Sequence, residues 1–195
     1  MDSAGLVTLQ QRICENDETA LAEIYKLYYQ KLVFFAKSIL RTKQLAEEVV
    51  EDVLIKLWCN RSEITKVKNL NIYLYTAVKN TSLNLLSQQA RQLVSAPFDF
   101  LNIELENELA NPQELMITTE MMKRMHCAVD TLPPRCKMIF RLVREDGLKY
   151  KEVAEILNIS VNTIDVQMAI AVKKICTALN INKPFKQLTP SLPQK

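Results

Sequence analysis

Side chains that could carry out acid–base, nucleophilic or metal chemistry are sparse in this sequence of 195 residues. The single histidine, His126, is followed by Cys127, but adjacent residues point to different faces of a helix, so the pair does not predict a metal site. The five cysteines lack C-x-x-C spacing, which favours reduced thiols used as small apolar side chains. There is no Ser-His-Asp constellation and no glycine-rich phosphate loop. The sequence therefore predicts that the protein is not an enzyme and holds neither a metal ion nor a cofactor.

The stretch KYKEVAEILNISVNTIDVQMAIAVKKIC, residues 149–176, is the most informative for function. Its apolar residues recur at three- and four-residue spacing in two successive runs, which predicts two helices that each bury one face. The apolar positions are Val153, Ile156 and Leu157 in the first run and Ile164, Met168, Ala171 and Ile175 in the second.

The residues between the two runs predict a tight turn. Asn158 tolerates the left-handed conformation that ends a helix, and Ile159 supplies an apolar side chain for the corner. Ser160 is a good N-cap for the second helix, and Ala154 allows a close helix crossing. The pattern indicates a helix-turn-helix, whose second helix normally enters the DNA major groove. An ordinary helical hairpin in an all-helical core is the alternative at this point.

The composition favours an all-α fold. Apolar residues make up 48% of the chain, which is enough for real cores, while Gly5 and Gly147 are the only glycines. No apolar run is long enough to cross a membrane, and the N-terminus lacks the apolar core of a signal peptide. We therefore expect a cytoplasmic protein that does not insert into membranes.

Helical spacing predicts three further helices before the acidic stretch and two after it. The first three run from Asp17 to Leu40, from about Gln44 to Trp58 and from about Asn71 to Arg91. A fourth is predicted from about Gln113 to Val129, and a fifth begins at Leu132-Pro133-Pro134 and ends at Gly147. The side chains expected to face inward are listed here helix by helix: Leu21, Ile24, Tyr28, Leu32, Phe35 and Ile39; Val49, Val50, Val53, Leu54, Leu57 and Trp58; Tyr75, Val78, Ser82 and Leu85; Leu115, Met122, Met125 and Val129; Cys136, Ile139, Phe140 and Val143.

Charge is distributed unevenly along the chain. Residues 1–91 carry a net charge of +2, residues 92–120 carry −6, and residues 121–195 carry +7. The basic C-terminal part suits binding to a polyanion. Within the second helix, carboxylates crowd the side opposite the buried face: this is either a solvated surface or the docking site of a basic partner.

These features predict two small helical domains joined by an acidic linker. The boundaries are a first domain over 1–91, a linker over 92–113, a helix-turn-helix domain over 114–180 and a disordered tail over 181–195. Pro97, Pro112 and the alternating acids of FDFLNIELENELANP favour an extended linker.

Three motifs in this order resemble the extracytoplasmic-function (group IV) sigma factors of bacterial RNA polymerase. They are AEEVVEDVLIKLW at 46–58, YLYTAVKNTSLNLL at 73–86 and LPPRCKMIFRLVREDGLKYKEVAEILNISVNTI at 132–164. The resemblance covers about residues 18–91 and 114–177. It implies a protein that binds core RNA polymerase and directs promoter recognition, promoter melting and transcription initiation, with promoter DNA and an anti-sigma protein as further partners.

The resemblance also implies residue roles. The surface that docks on the polymerase clamp helices would be Glu48, Glu51, Asp52 and Lys56. The part that melts the minus-ten element would be the loop 60–68 with Arg61, Lys66 and Lys68, and the helix face of Lys79, Asn80 and Asn84. The reader of the minus-thirty-five element would be Asn162, Thr163, Asp165 and Gln167 with Lys173 and Lys174 nearby. The acidic linker would thread the RNA exit path of the polymerase.

Elementary chemistry agrees with these roles. An amide such as that of Asn162 or Gln167 can pair with adenine in the major groove, and basic side chains hold phosphates. However, Asp165, Gln167 and Ile170 stand where the family often carries Arg or Lys, and Lys149 stands where a capping Ser is usual. Affinity for DNA without polymerase should therefore be weak. A stand-alone helix-turn-helix activator is the alternative function, and it would bind duplex DNA tightly by itself.

Overall fold

The computed structural model describes residues 3–92 and 119–179. Across these two ranges all regular structure is helical, as the composition predicted. The helices are α1 (Ser3–Cys14), α2 (Glu18–Leu40), α3 (Lys43–Cys59), a 3-10 helix (Arg61–Lys66), α4 (Leu70–Gln92), α5 (Thr119–Asp130), α6 (Pro134–Arg144), α7 (Tyr150–Leu157) and α8 (Val161–Ala178). None of them is long and apolar enough to span a membrane. The predicted linker, apart from Gln92, and the predicted tail lie outside the described residues.

The helices form two compact units, the first built mainly on α1 to α4 and the second mainly on α5 to α8. In the first unit α2 packs against α3 and α4, while α1 packs against α2 and the 3-10 helix. In the second unit α8 packs against α5 and α6. Each unit therefore surrounds one long central helix, α2 in the first and α8 in the second.

The core of the first unit follows the predicted stripe along α2. Ile24, Leu32 and Phe35 are almost fully buried, and the Phe35 ring meets Tyr75 of α4 edge to face at 5.2 Å between centroids. Tyr28 is also buried, and its hydroxyl donates a hydrogen bond to the side-chain oxygen of Asn71. The helical spacing thus correctly identified which side of α2 faces α4.

Residues in the left-handed backbone conformation follow several helices of this glycine-poor chain. Asn16, Arg41 and Asn158 have φ angles of 67°, 64° and 54°, and Gly147 has 76°. Asparagine tolerates this conformation better than other side chains do, which explains two of the three non-glycine cases. Asn158 directly follows α7 as predicted. Gly147 was predicted to end α6, but this helix ends at Arg144 and Gly147 lies in the turn that follows.

Two features of the first unit differ from the sequence interpretation. The chain begins with helix α1, which the sequence reasoning did not predict, and it buries Leu9 and Ile13. The segment 60–68, expected to be a loop, contains the 3-10 helix, because Ile64 is buried at 2% exposure and anchors the turn in the core. A single apolar anchor gives no helical periodicity to detect.

Burial in the second unit also departs from the predicted stripes. In α6 Leu142 is buried and Val143 only partly so, which corrects the expectation that Val143 faces inward. Met125, expected on the apolar side of α5, is 36% exposed, whereas Val129 is buried as predicted. Helix α5 begins at Thr119 in the described residues, so the predicted start at Gln113, with the inward position at Leu115, lies outside them.

Candidate nucleic-acid and polymerase interfaces

The acidic face of α3, formed by Glu48, Glu51, Asp52 and Lys56, is exposed to solvent throughout. These residues recur at three- and four-residue spacing, so one side of the helix presents them together. Ile55 lies on the same side and is 61% exposed, the highest value among the exposed large apolar residues. The face therefore combines negative charge with an apolar side chain, which suits a protein partner of positive charge.

Two tyrosines of α2 border this face. The rings of Tyr25 and Tyr29 stack with centroids 4.4 Å apart, and the Tyr29 hydroxyl donates a hydrogen bond of 3.3 Å to Glu51. Burial, and next the hydrogen bond with Tyr25, raises the pKa of the Tyr29 phenol above its ordinary value. The phenol therefore stays protonated and remains a donor to the carboxylate at neutral pH.

Arg61, one of the predicted DNA-binding residues, is held by the protein itself. Its guanidinium lies over the Trp58 ring, 5.0 Å from the centroid, and donates 3.1 Å to the Trp58 carbonyl oxygen. It also donates to the side-chain oxygen of Asn16. These contacts fix the start of the 3-10 helix and leave the guanidinium with fewer donors for a phosphate.

The other basic residues of the segment 60–68 are more accessible. Lys66 and Lys68 are exposed, and Lys66 forms a surface ion pair with Glu63. Such a pair contributes little to stability and is easily exchanged for a phosphate. On α4, Asn80 and Asn84 are exposed one turn apart, and Lys79 is half-buried. Asn80 and Asn84 therefore present two adjacent amides to solvent, and we call this pair the amide strip.

The helix-turn-helix forms as the sequence predicted. The Ser160 hydroxyl accepts a hydrogen bond of 3.0 Å from the backbone N–H of Thr163 and so caps α8. At the start of α7, Glu152 accepts a hydrogen bond of 2.8 Å from the backbone N–H of Lys149. This is one half of a capping box, and it compensates for the absence of a capping Ser at Lys149.

Helix α8 presents its predicted readers unequally. Asn162, Asp165, Lys173 and Lys174 are exposed, whereas Thr163 and Gln167 are half-buried. Val166 is 49% exposed and Ile170 38% exposed, on the side opposite the buried stripe. The outermost surface of the helix is therefore partly apolar, and Gln167 lies at its flank. Burial, and next the negative charge of Asp165, raises the pKa of the Tyr150 phenol. The Asp165 carboxylate therefore lies close to the start of α7.

Helices α5 and α6 hold α8 in place. The Cys136 thiol of α6 donates to the backbone carbonyl of Gln167 at 3.2 Å, and burial raises the pKa of that thiol, so it remains protonated. At the junction of α5 and α6 the buried ammonium of Lys137 lies 2.6 Å from Asp130. These contacts fix the orientation of the predicted reading helix relative to the rest of its unit.

Sequence reasoning missed three residues of these surfaces. Ile55 was detectable, because it lies three and four residues from Asp52 and Glu51 on the same helical face. Trp58 was assigned to the buried face of its helix, whereas the structure leaves it half-exposed beneath Arg61. Gln10 of α1 is buried and hydrogen-bonded to the segment 60–68, a contact between residues more than fifty positions apart that no local pattern reveals.

Comparison with protein families identifies both units. Residues 24–92 match the model described as Sigma-70 region 2, and residues 122–175 match the model described as Sigma-70, region 4. Together these matches include the acidic face, the segment 60–68, the amide strip and the helix-turn-helix. The two units are thus those of a sigma-70-type transcription initiation factor.

Relatives that match over most of their length refine this class. The sigma-E factor of Escherichia coli K12 is 26% identical over 164 residues, covering 80% of this chain and 84% of that protein. The factor SigK of Mycobacterium bovis is 21% identical over 182 residues, covering 92% of this chain and 96% of that protein. Both relatives are extracytoplasmic-function (ECF) sigma factors, and the chain belongs to this family. It is accordingly a factor that directs RNA polymerase in promoter recognition and initiation, and not an enzyme.

Solved structures share the fold. The sigma factor RpoE of Bartonella quintana, in complex with the anti-sigma factor NepR, aligns with a TM-score of 0.58 at 20% identity over 83% of this chain and 97% of that one. CnrH in complex with the cytosolic domain of CnrY aligns with a TM-score of 0.53 at 14% identity over 91% of this chain and 98% of that one. The arrangement of helices is therefore one that known sigma factors adopt.

Proposed function

We propose that the sigma activity is divided between the two units, with residues 1–91 binding core polymerase and the minus-ten element and residues 114–180 binding the minus-thirty-five element. The observation that carries this division is the exposed acidic face of α3, on a different unit from the exposed reading helix α8. The linker over 92–113 carries no Lys or Arg, and we propose that it runs through the RNA exit path in the cytoplasmic holoenzyme.

Docking on the polymerase would use the acidic face together with Ile55. Glu48, Glu51 and Asp52 provide negative charge for the basic side chains of the clamp helices, and such complementarity chiefly accelerates association and selects the partner. Ile55 would supply apolar area at the centre, where buried contacts contribute most of the affinity. Lys56 at the edge would set the orientation by pairing with an acidic side chain.

Asp52→Lys tests this docking site. We expect the variant to bind core polymerase at least about tenfold more weakly, because an attractive charge becomes a repulsive one in a complementary interface. Glu15→Lys is the matched control, since Glu15 is exposed on the loop after α1 and outside the acidic face. Affinity is measured by fluorescence anisotropy with labelled sigma factor. Equal affinities of the two variants, or tight duplex binding without polymerase, would favour the stand-alone activator.

Promoter melting would use the segment 60–68 and the amide strip. Extruding a base from the stack costs a few kcal/mol, which hydrogen bonds from Asn80 and Asn84 to the base can offset. Lys66 and Lys68 would hold the adjoining phosphates, Arg61 would support the start of the segment, and Lys79 would act beside the two amides on α4. We expect Asn80→Ala to retain polymerase binding and to reduce permanganate reactivity of thymines in the opened region, whereas Gln30→Ala, an exposed substitution on α2, should change neither.

Reading of the minus-thirty-five element would use the exposed end of α8. Asn162 is an exposed amide near the capped N-terminus, and the exposed Lys173 and Lys174 would meet phosphates. Thr163, Asp165 and Gln167 would contact base edges from the flanks. The apolar pair Val166 and Ile170 fits the methyl groups of thymine.

We also propose that an anti-sigma protein regulates this factor. The support is that the two solved relatives are complexes with anti-sigma factors, and that Val166 and Ile170 leave α8 with an exposed apolar surface. Such a partner would cover this surface and compete with promoter DNA. A Val166→Lys variant should therefore escape inhibition in the native cell while keeping its affinity for core polymerase.

A further inference from the structure

A buried side-chain amide of α1 holds the end of the 3-10 helix. Gln10 is 5% exposed, and its Nε2 donates 2.9 Å to the carbonyl oxygen of Ile64 and 2.8 Å to that of Val67. An amide nitrogen has two hydrogens, and both are used here on neighbouring backbone carbonyls. The contact joins positions 54 and 57 residues apart in the chain, so it is part of the tertiary structure.

The two carbonyls lie at the end of the 3-10 helix, that of Ile64 in its last turn and that of Val67 at its C-cap. The Val67 N–H donates 3.1 Å to the Ile64 carbonyl and closes the last turn, and Gln10 supplies the remaining donors. Because buried backbone oxygens need partners, the amide selects one backbone conformation for residues 64–67. The side chain of Ile64, 2% exposed, secures the same turn from the core side.

A second contact joins the connection between α1 and α2 to the start of the same 3-10 helix. Asn16, in the left-handed conformation with φ of 67°, accepts a hydrogen bond from Nε of Arg61. Both ends of the 3-10 helix are therefore tied to the N-terminal part of the chain. Lys66 and Lys68, which project from the clamped turn, are themselves exposed.

We propose that Gln10 is a positioning residue for promoter melting: by fixing the backbone of Ile64 and Val67 it sets where Lys66 and Lys68 meet the DNA. Gln10 is too buried to touch DNA, so it acts through the segment that it holds. This inference rests on the proposed role of the segment 60–68 in melting. It adds α1, which lies before the region matched by the Sigma-70 region 2 family model, to the melting machinery.

Gln10→Met tests the proposal, because methionine has a similar length and no hydrogen-bond donor. Gln11→Met is the matched control, since Gln11 is the adjacent and exposed residue. With full-length protein and core polymerase, we expect Gln10→Met to slow open-complex formation on duplex promoter about tenfold, as for two lost hydrogen bonds of ordinary strength. Affinity for core polymerase should change less than about twofold, because the acidic face is not altered.

A template with a pre-opened bubble over the minus-ten element separates positioning from general damage. On this template Gln10→Met should initiate at the rate of the wild-type protein, because melting is no longer required. Equal defects on duplex and bubble templates, or an equal loss of polymerase affinity, would overturn the proposal. If Gln10→Met does not fold, Gln10→Asn replaces it: a shorter amide that opens duplex promoter at the wild-type rate would also overturn it.

Variants of Lys66 and Lys68, alone and together with Gln10→Met, show whether a negative result contradicts this inference or the proposed role of the segment 60–68. If Lys66→Ala and Lys68→Ala together leave opening unchanged, the role of the segment 60–68 itself is wrong. If the lysine variants impair opening and Gln10→Met does not, only the inference fails. If the inference is correct, adding Gln10→Met to the lysine double variant should slow promoter opening by less than about a further twofold, because both changes act on one step.

Discussion

Removal of the carboxylate of Asp130 should destabilise the second unit far more than removal of its partner Lys137. The Lys137 side chain is 6% exposed, and its Nζ lies 2.6 Å from an Asp130 oxygen that Arg141 approaches at 3.5 Å. Asp130 is the last residue of α5 and Lys137 lies in α6, so the pair holds the two helices at their junction. The asymmetry arises because only the ammonium is deeply buried.

The magnitude follows from that burial. Loss of one partner from a buried ion pair costs about 3–5 kcal/mol, because the remaining charge is left in the protein interior. The Asp130 side chain is 32% exposed, so water reaches this site and we expect Asp130→Ala to cost about 2–3 kcal/mol, below that range. Lys137→Met should lie within about 1 kcal/mol of the wild type, because Asp130 keeps Arg141 and the apolar stem is replaced by a similar one.

Hydrogen exchange followed by mass spectrometry is the appropriate assay, because Trp58, the only tryptophan, lies in the first unit and does not report on this junction. Asp130→Ala should accelerate exchange of peptides within α6 by about a hundredfold, whereas peptides of α2 should not change and serve as an internal reference. Glu145→Ala is the control, since Glu145 is 45% exposed and 3.6 Å from Arg141, and a surface pair contributes at most about 1 kcal/mol.

The double variant Asp130→Ala with Lys137→Met should recover most of the lost protection, since no buried charge then lacks its partner. Equal acceleration in the two single variants would refute the reasoning. It would mean that the attraction between the two charges, and not the desolvation of an unpaired Lys137 ammonium, accounts for the stabilisation.

Three further predictions concern the reading helix and the start of α2. Ser160→Ala should lower the stability of the first turn of α8 by about 1 kcal/mol, measured by exchange of its amides. Wild-type holoenzyme should bind a promoter with thymine at one minus-thirty-five position about fourfold more tightly than one with deoxyuridine there, since a methyl-sized group contributes roughly 0.8 kcal/mol. Val166→Ala should lose this preference. If the variant keeps it, the methyl contact lies elsewhere. Hydrogen bonds, first from Thr19 and then from Arg12, lower the pKa of Asp17 to about 2. The contribution of this carboxylate to folding stability is therefore complete above the unfolded pKa near 3.8 and is lost as the pH falls through about 2. Asp17→Asn should flatten this part of the stability profile in urea titrations between about pH 5 and pH 2.

Local chemistry in the sequence was enough to predict most helices and their ends. Ser160 caps α8, as its residue type indicated, and Asp17, at the predicted start of α2, caps that helix through the N–H of Thr19. Helical spacing identified the buried sides of α2, α3 and α8 because each repeat lies within two turns. The three motifs then indicated the correct family, because their order along the chain is that of the two Sigma-70 regions which it matches.

Contacts between distant segments were not predictable in this way. Nothing around Gln10 indicates that it hydrogen-bonds residues beyond position 60, and nothing near Arg61 indicates that Asn16 accepts from it. The choice of Leu142 over Val143 for burial likewise depends on which neighbouring helix α6 meets.

The sequence by itself therefore determined most of the secondary structure, the division into two helical units and the kind of protein. Only the tertiary structure decided which side chains remain available to a partner: it engages Arg61, leaves Gln167 at the flank of α8 and exposes Ile55. The physical reason is one of range. Capping and periodicity act over a few residues and are readable from the chain, whereas the hydrogen bonds and burial that commit a side chain depend on surfaces brought together by folding.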